Sequence, residues 1–178
     1  MSSTSESPFP PTRRIVTGHT PQGKSLVLDD SLTAPRFLSP ESKVSLADLH
    51  YTAEAPAVID TELTTGKWID EAKTQTEKIF SGKGSNFRSI DFAPGTVSPL
   101  HRTVTLDYGI VFRGTITLEL EEGERITLRE GDTVVQRGTM HTWRNETDEW
   151  TKLYFVMLDA KPIEVQGKTL GEEFHEAK

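Results

Sequence analysis

Five side chains in the second half of the chain have types and spacing that could do chemistry: His101, Thr103, Asp107, His141 and Trp143. Residues two apart on a strand share a face, so His101, Thr103 and Asp107 can project into one interior, and His141 and Trp143 share a face in the same way. Two imidazoles and a carboxylate converging in a β-lined cavity suit one divalent metal, Zn, Mn, Fe or Ni, with positions left open for water and substrate. His101, Asp107 and His141 are then at once the metal ligands and the catalytic set. The same three groups suit metal-free acid-base work, with His101 or His141 carrying a proton and Asp107 orienting its imidazole and raising its pKa. A third reading makes both His residues satisfied core groups of a barrel without activity. Buried His and Asp cost free energy unless paired, and a purely structural barrel could use aliphatic residues instead, so the convergence itself speaks for function.

Around this set, Thr103 can hydrogen-bond a bound water or a substrate oxygen, and Trp143 can stack on a substrate ring or serve as core. Arg102 and Arg137 are candidates to bind an anionic substrate group, against the alternative of solvation or pairing with nearby acids; Arg113 and Arg137 lean to that structural role. Tyr108 falls on the opposite strand face from Asp107. Asp132, after Gly131, suits a turn. His19, His50 and His175 lie outside the region and default to ordinary side chains.

The elements that must position these groups read as short strands. Arg88 to Phe92, Tyr108 to Arg113, Thr115 to Leu120, Arg125 to Leu128, Thr133 to Gln136, Thr142 to Asn145 and Lys152 to Leu158 are bounded by turn residues. Glu121-Glu122-Gly123-Glu124 is the expected tip of a hairpin. Ile116, Leu118 and Leu120 alternate with Thr115, Thr117 and Glu119, which turns the apolar set inward. Upstream, Ile15-Val16 and Leu26-Val27-Leu28 are extended pieces too short to stand alone, expected to lie against a sheet edge of their own subunit or of a neighbour. Trp68 to Phe80 is the helix candidate, stopped by Gly82 and Gly84, and a helical turn is expected around Leu170 to Phe174. Residues 1–14 then form an arm or a disordered stretch, 15–86 an arm and strands packing on the barrel, 87–160 the barrel, and 161–178 a tail.

Both chemical segments place His at a fixed offset from turn-forming Gly. The first runs from Gly95 through His101, Thr103 and Asp107 to Gly114, and the second from Gly131 through Gln136, Gly138 and His141 to Asn145. The pair resembles the two motifs of the cupin superfamily, G-x5-H-x-H-x3,4-E-x6-G and roughly G-x5-P-x-G-x2-H-x3-N. Gly95 to His101, Asp107 to Gly114, Gly138 to His141 and His141 to Asn145 keep the family spacing. Thr103 stands in place of the second His, Asp107 in place of Glu, and Gln136 in place of Pro with one fewer residue after Gly131. The chain looks like a small single-domain member of the type-2 conserved barrel, similar to cupins of fungal secondary-metabolite pathways. The resemblance implies an all-β double-stranded β-helix, or jelly-roll barrel, with an N-terminal extended arm and one or two short helices. It also implies a small-molecule lyase, a decarboxylase or dehydratase, acting on an oxygenated cyclic or polyketide-like metabolite. The alternatives are a metal-dependent dioxygenase and a non-catalytic ligand-binding cupin.

Composition narrows the classes. With 20 Lys plus Arg against 27 Asp plus Glu, the net charge of −7 argues against a nucleic-acid partner. The absence of Cys removes disulfides, thiolate-bound metals and a thiol nucleophile. No apolar run approaches the ~18 residues that span a bilayer. The Ser-, Thr- and Pro-rich start lacks a secretory apolar stretch, so a cytoplasmic protein without membrane partner is expected and Asn145-Glu146-Thr147 is read as a chance sequon. A small barrel with exposed edges also favours a homodimer.

Overall fold

Inward alternation is clearest in the stretch around Asp107, where residues 105, 107, 109 and 111 are buried and 108, 110 and 112 are exposed. The structure, a computed structural model, describes residues 6–74 and 83–175. Its strands are β1 (Thr12–His19), β2 (Ser25–Thr33), β3 (Arg36–Phe37), β4 (Val44–Thr52), β5 (Ser85–Phe92), β6 (Thr96–Val97), β7 (Leu100–Arg102) and β8 (Thr105–Arg113). They continue with β9 (Thr115–Leu120), β10 (Arg125–Arg129), β11 (Thr133–Arg137), β12 (His141–Asn145), β13 (Thr151–Asp159), β14 (Ile163–Val165), β15 (Lys168–Leu170) and β16 (Glu173–His175).

Two antiparallel sheets face each other. One has the order β10-β9-β12-β7-β16, with β6 also on β12; the other has the order β11-β8-β13-β5-β4-β3. This is the all-β jelly roll that the cupin resemblance implies. All seven expected strands are present, each extended by at most three residues at an end. Phe92, Val111, Ile116, Leu118, Leu128, Trp143, Leu153, Phe155 and Met157 pack between the sheets. Each large aliphatic side chain fully buried there contributes about 1.5–3 kcal/mol relative to exposure. Gly114 joins β8 to β9 at φ +84°, and a Cβ there would lie 2.8 Å from Thr151 Oγ1 and 3.0 Å from the Trp150 carbonyl, so only Gly fits this turn. The β9–β10 tip closes as expected, with Gly123 N–H donating to Leu120 O at 2.9 Å.

Three expectations need correction. The upstream extended pieces are longer than they read: β1 and β2 pair with each other as a separate hairpin instead of lying along a barrel edge. The backbone groups of each strand thereby find partners locally. Strand β4 instead pairs along β5, with the two-residue β3 outside it. In the helix candidate, Trp68–Asp70 is irregular and only Glu71–Lys73 forms a 3-10 turn, while residues 75–80 lie outside the described region. Among the described residues a short α-helix lies at Thr61–Thr65, upstream of the place the sequence marks. The tail around Leu170 to Phe174 is extended, because β16 hydrogen-bonds to β7.

The stretch read as an arm is docked where it is described. Ser7 Oγ donates to Asp91 Oδ2 at 2.6 Å, and Lys152 Nζ lies 5.2 Å from the centre of the Phe9 ring. Asp91 and Lys152 are cross-strand partners in β5 and β13, 3.3 Å apart and nearly fully buried. Among the described residues, no helix is long and apolar enough to cross a membrane.

Candidate active site

The site is built from two cross-strand pairs, one in each sheet. In the first sheet His141 of β12 stands directly opposite His101 of β7, and their rings meet at 4.3 Å between centroids. In the second sheet Gln136 of β11 stands opposite Asp107 of β8, and Gln136 Nε2 donates to Asp107 Oδ2 at 3.2 Å. The same Gln136 nitrogen reaches across the barrel to His141 Nε2 at 3.0 Å. Register thus brings together groups that are 40 residues apart in the chain, and one amide ties the two sheets at the site.

These contacts determine the tautomers. His141 Nδ1 lies 2.9 Å from the Thr139 carbonyl, which can only accept, so Nδ1 carries the proton and Nε2 accepts from Gln136. His101 Nδ1 donates in the same way to the Pro99 carbonyl at 2.8 Å, which leaves its Nε2 with a lone pair. Burial pushes His141 down to about 3, aided by the neighbouring His101, and burial also lowers His101; both rings are neutral bases at pH 7. Burial has the opposite effect on Asp107, raising its carboxyl to about 6 against the pull of Thr105, Gln136 and Arg88.

The pairs line a cavity of about 160 Å³ whose other walls include Leu46, Ile90, Phe92, Phe155 and Met157. Thr103 and Trp143 also line it: Thr103 Oγ1 bonds Thr105 Oγ1 at 2.7 Å, and Trp143 packs edge-on to His141 and Phe155 while belonging to the core. Arg102 and Arg137 do not. They line a separate hollow of about 240 Å³ with Lys161, Ile163 and Leu170, and Arg102 pairs with Glu173 at 2.9 Å. Each follows an inward residue by one position and so faces the other way. Arg113 pairs with Glu130, Tyr108 is exposed, and Asp132 caps a turn through the Arg129 N–H.

Three contributors were not singled out from sequence. Arg88 lines the cavity and is ion-paired to Asp48 at 2.7 Å; its inward parity with Ile90 and Phe92 on β5 was the available signal. Gln136 was visible only as a departure from Pro, although its parity with Val134 aimed it inward. Phe174 stacks on His101 at 5.5 Å between ring centres, from a tail whose composition gives no hint of it.

The expected metal set can be tested against this geometry. Among the described residues, no three His, Asp or Glu side chains come together as metal ligands. The Gln136 amide hydrogens engage His141 Nε2, whose single lone pair a metal would need, and one lone pair of Asp107 Oδ2. As arranged, the donor set does not fit a metal ion.

The family model for the Cupin domain matches residues 88–157, and a relative from Aspergillus ruber named cupin-domain-containing oxidoreductase fogC is 36% identical over 160 residues, covering 88% of this chain and 77% of that protein. The chain belongs to the cupin family. A second relative of this cupin, phomopsin biosynthesis cluster protein D from Diaporthe leptostromiformis, is 50% identical over 94 residues, covering 52% of this chain and 50% of that protein. The chain thus spans about half the length of that relative. The cupin domain of Schizosaccharomyces pombe Cnp3 has the same fold, with TM-score 0.52 at 11% identity over 83% of this chain and 87% of that one.

Proposed function

We propose that this cupin is an enzyme of secondary metabolism that moves protons on an oxygenated small molecule inside the barrel, as a lyase that eliminates water. The observation that carries this reading is the pairing, on one apolar cavity, of an imidazole kept neutral with a carboxyl whose proton is retained up to about pH 6. His101 Nε2 takes a proton from the carbon next to a carbonyl, the electron pair forms the new C=C bond, and the hydroxyl on the next carbon leaves with the Asp107 proton as water. Thr103 lies beside the site to bond the reacting oxygens, and Trp143 forms part of the wall against which a ring can lie. Dehydration is favoured over decarboxylation because Arg88, the cation in the cavity wall, is already engaged by Asp48, and Arg102 and Arg137 face elsewhere.

The experiment is to supply 3-hydroxycyclohexanone and follow the absorbance of the enone. Turnover is expected, with His101→Ala lowering kcat by about a hundredfold or more. kcat/KM is expected to fall as pH rises through about 6, where Asp107 loses its proton. Unchanged turnover in His101→Ala would remove that residue from the mechanism.

The names of its relatives favour a second reading, an oxidoreductase, for which a divalent metal held by His101, Asp107 and His141 is the cofactor that the family resemblance suggests. It requires the Gln136 amide to leave His141 Nε2. Elemental analysis of protein purified without a His tag tests it: stoichiometric iron would favour oxidation over dehydration.

A further inference from the structure

The face of the second sheet that turns away from the cavity is apolar across four strands. Register sets Val135 of β11, Tyr108 of β8, Val156 of β13 and Phe87 of β5 side by side in one row. The next row runs Thr133, Ile110, Tyr154 and Ser89 across the same strands, and neither row contains a charged residue. Phe112 extends the patch along β8: its ring lies edge-on to Tyr154 at 5.3 Å between centroids, and Tyr154 lies 6.0 Å from Phe87. Tyr108, Ile110 and Phe112 face outward by the same alternation that buries Asp107, Gly109 and Val111.

Among the described residues nothing seals this patch. Phe87 is 38% exposed, Tyr108 43%, Ile110 45%, Phe112 56% and Val135 58%. At ~200 Å² for a fully open aromatic side chain, and somewhat less for Ile and Val, these five leave roughly 450 Å² of apolar surface in water. Patches of that size commonly mark an interaction site. An interface is a little over half apolar, so this core implies about 800 Å² per partner once a polar rim is counted, the standard for a stable pair. The rim is present: Arg113 and Glu130, paired at 3.5 Å, stand at one end of β8, and Arg137, opposite Leu106, at the other.

Charge narrows the occupant. The chain carries −7, so two copies approach each other with least repulsion where carboxylates are absent, as in these rows. An anionic lipid surface would need clustered cations beside the patch, whereas Arg113 is already paired with Glu130. A sheet face can also mate with itself: a twofold axis stacks the same rows on each other as two layers ~10 Å apart. We infer that the outward face of β11, β8, β13 and β5 pairs with the same face of a second copy, in a twofold dimer with Tyr108, Ile110 and Phe112 at the contact. This surface lies behind the cavity wall, and its role stands or falls independently of the reaction inside.

Sedimentation of the full chain at tens of micromolar tests it. The native protein is expected at twice the mass of one chain. Ile110→Asp places a carboxylate on both sides of the contact and should weaken the dimer at least about a hundredfold, giving the mass of one chain. Ile126→Asp, at an exposed position on β10 of the other sheet, should keep the dimer. Because the chain has no Cys, single-Cys variants give a second readout that decides even if Ile110→Asp fails to fold. In assembled protein, maleimide should label Val135→Cys at least about tenfold more slowly than Thr127→Cys, which is exposed on β10. A native protein that sediments as one chain would overturn the proposal, whether a segment of its own or a different protein covers the patch. So would a dimer that persists in Ile110→Asp, a dimer lost equally in Ile126→Asp, or equal labelling at the two Cys positions.

Discussion

Two hollows meet at Thr103, which lines both, and they are opposite in character. The inner one holds neutral imidazoles, a carboxyl with a raised pKa and hydrocarbon walls. The outer one is lined by Arg102, Arg137 and Lys161. Both are cut from the same motif strands, one residue step apart: His101 faces in and Arg102 out, Gln136 in and Arg137 out. On these strands the period of two thus separates imidazole and amide from guanidinium, and a motif string that reads as one cluster of functional residues divides between two sites.

The sharpest way to break this contrast is to remove the cation that the inner hollow does contain. Arg88→Met should cost about 3–5 kcal/mol in a urea melt, because Asp48 is left buried without its closest cation, with the 3.3 Å contact to Arg36 and the 3.4 Å hydrogen bond from Asn86 Nδ2 remaining. A loss below about 1 kcal/mol would show that the inner site does not need its balanced charge.

A smaller effect should follow from pH. His141, held near 3, makes the fold lose stability as pH falls below the ordinary imidazole range, because the unfolded chain binds the proton more readily. Asp107, held near 6, acts the other way: the folded chain binds the proton more readily between about pH 4 and 6, so its contribution is present at low pH and lost as pH rises through 6. The two partly cancel. Asp107→Asn should therefore lose stability more steeply than the native protein on acidification from pH 6 to 4, measured by thermal melts across that range. Parallel curves would mean that Asp107 titrates normally.

The smallest effect is expected in the outer hollow. Arg137 is exposed, so Arg137→Ala should change stability by no more than about 0.5 kcal/mol. It should also leave turnover of 3-hydroxycyclohexanone unaltered. A tenfold loss of that turnover would show that the two hollows act as one site.

The barrel strands were legible because polar and apolar residues alternate through them and Gly marks their turns. Strand β4 was not: Val44–Thr52 is buried at most of its positions, contains Asp48 and His50, and slips register between them, so no simple period survives. The hairpin of β1 and β2 was hidden for a different reason, since its sequence is largely polar and it pairs with itself. At the site, His101, Thr103, Asp107, His141 and Trp143 do line one cavity, but not as one regular strand: the chain crosses between sheets at Thr103–Val104, so His101 on β7 and Asp107 on β8 meet from opposite sheets, and only His141 and Trp143 share a strand. The Gln136 bridge depends on which strands face each other across the barrel, which local pattern does not encode. Phe174 reaches His101 only because a three-residue strand docks on β7, too short a segment to leave a periodic signal.

The docking of Ser7 and Phe9 over Asp91 and Lys152 makes the first described residues a stopper on an otherwise dry ionic contact between two central strands. Were that segment to peel away, water would reach the pair, and amide protons in the middle of β5 and β13 would exchange faster although neither strand had changed. An event at the start of the chain would then be felt on the ladder that carries Arg88 and Phe155, and through them at the wall of the cavity.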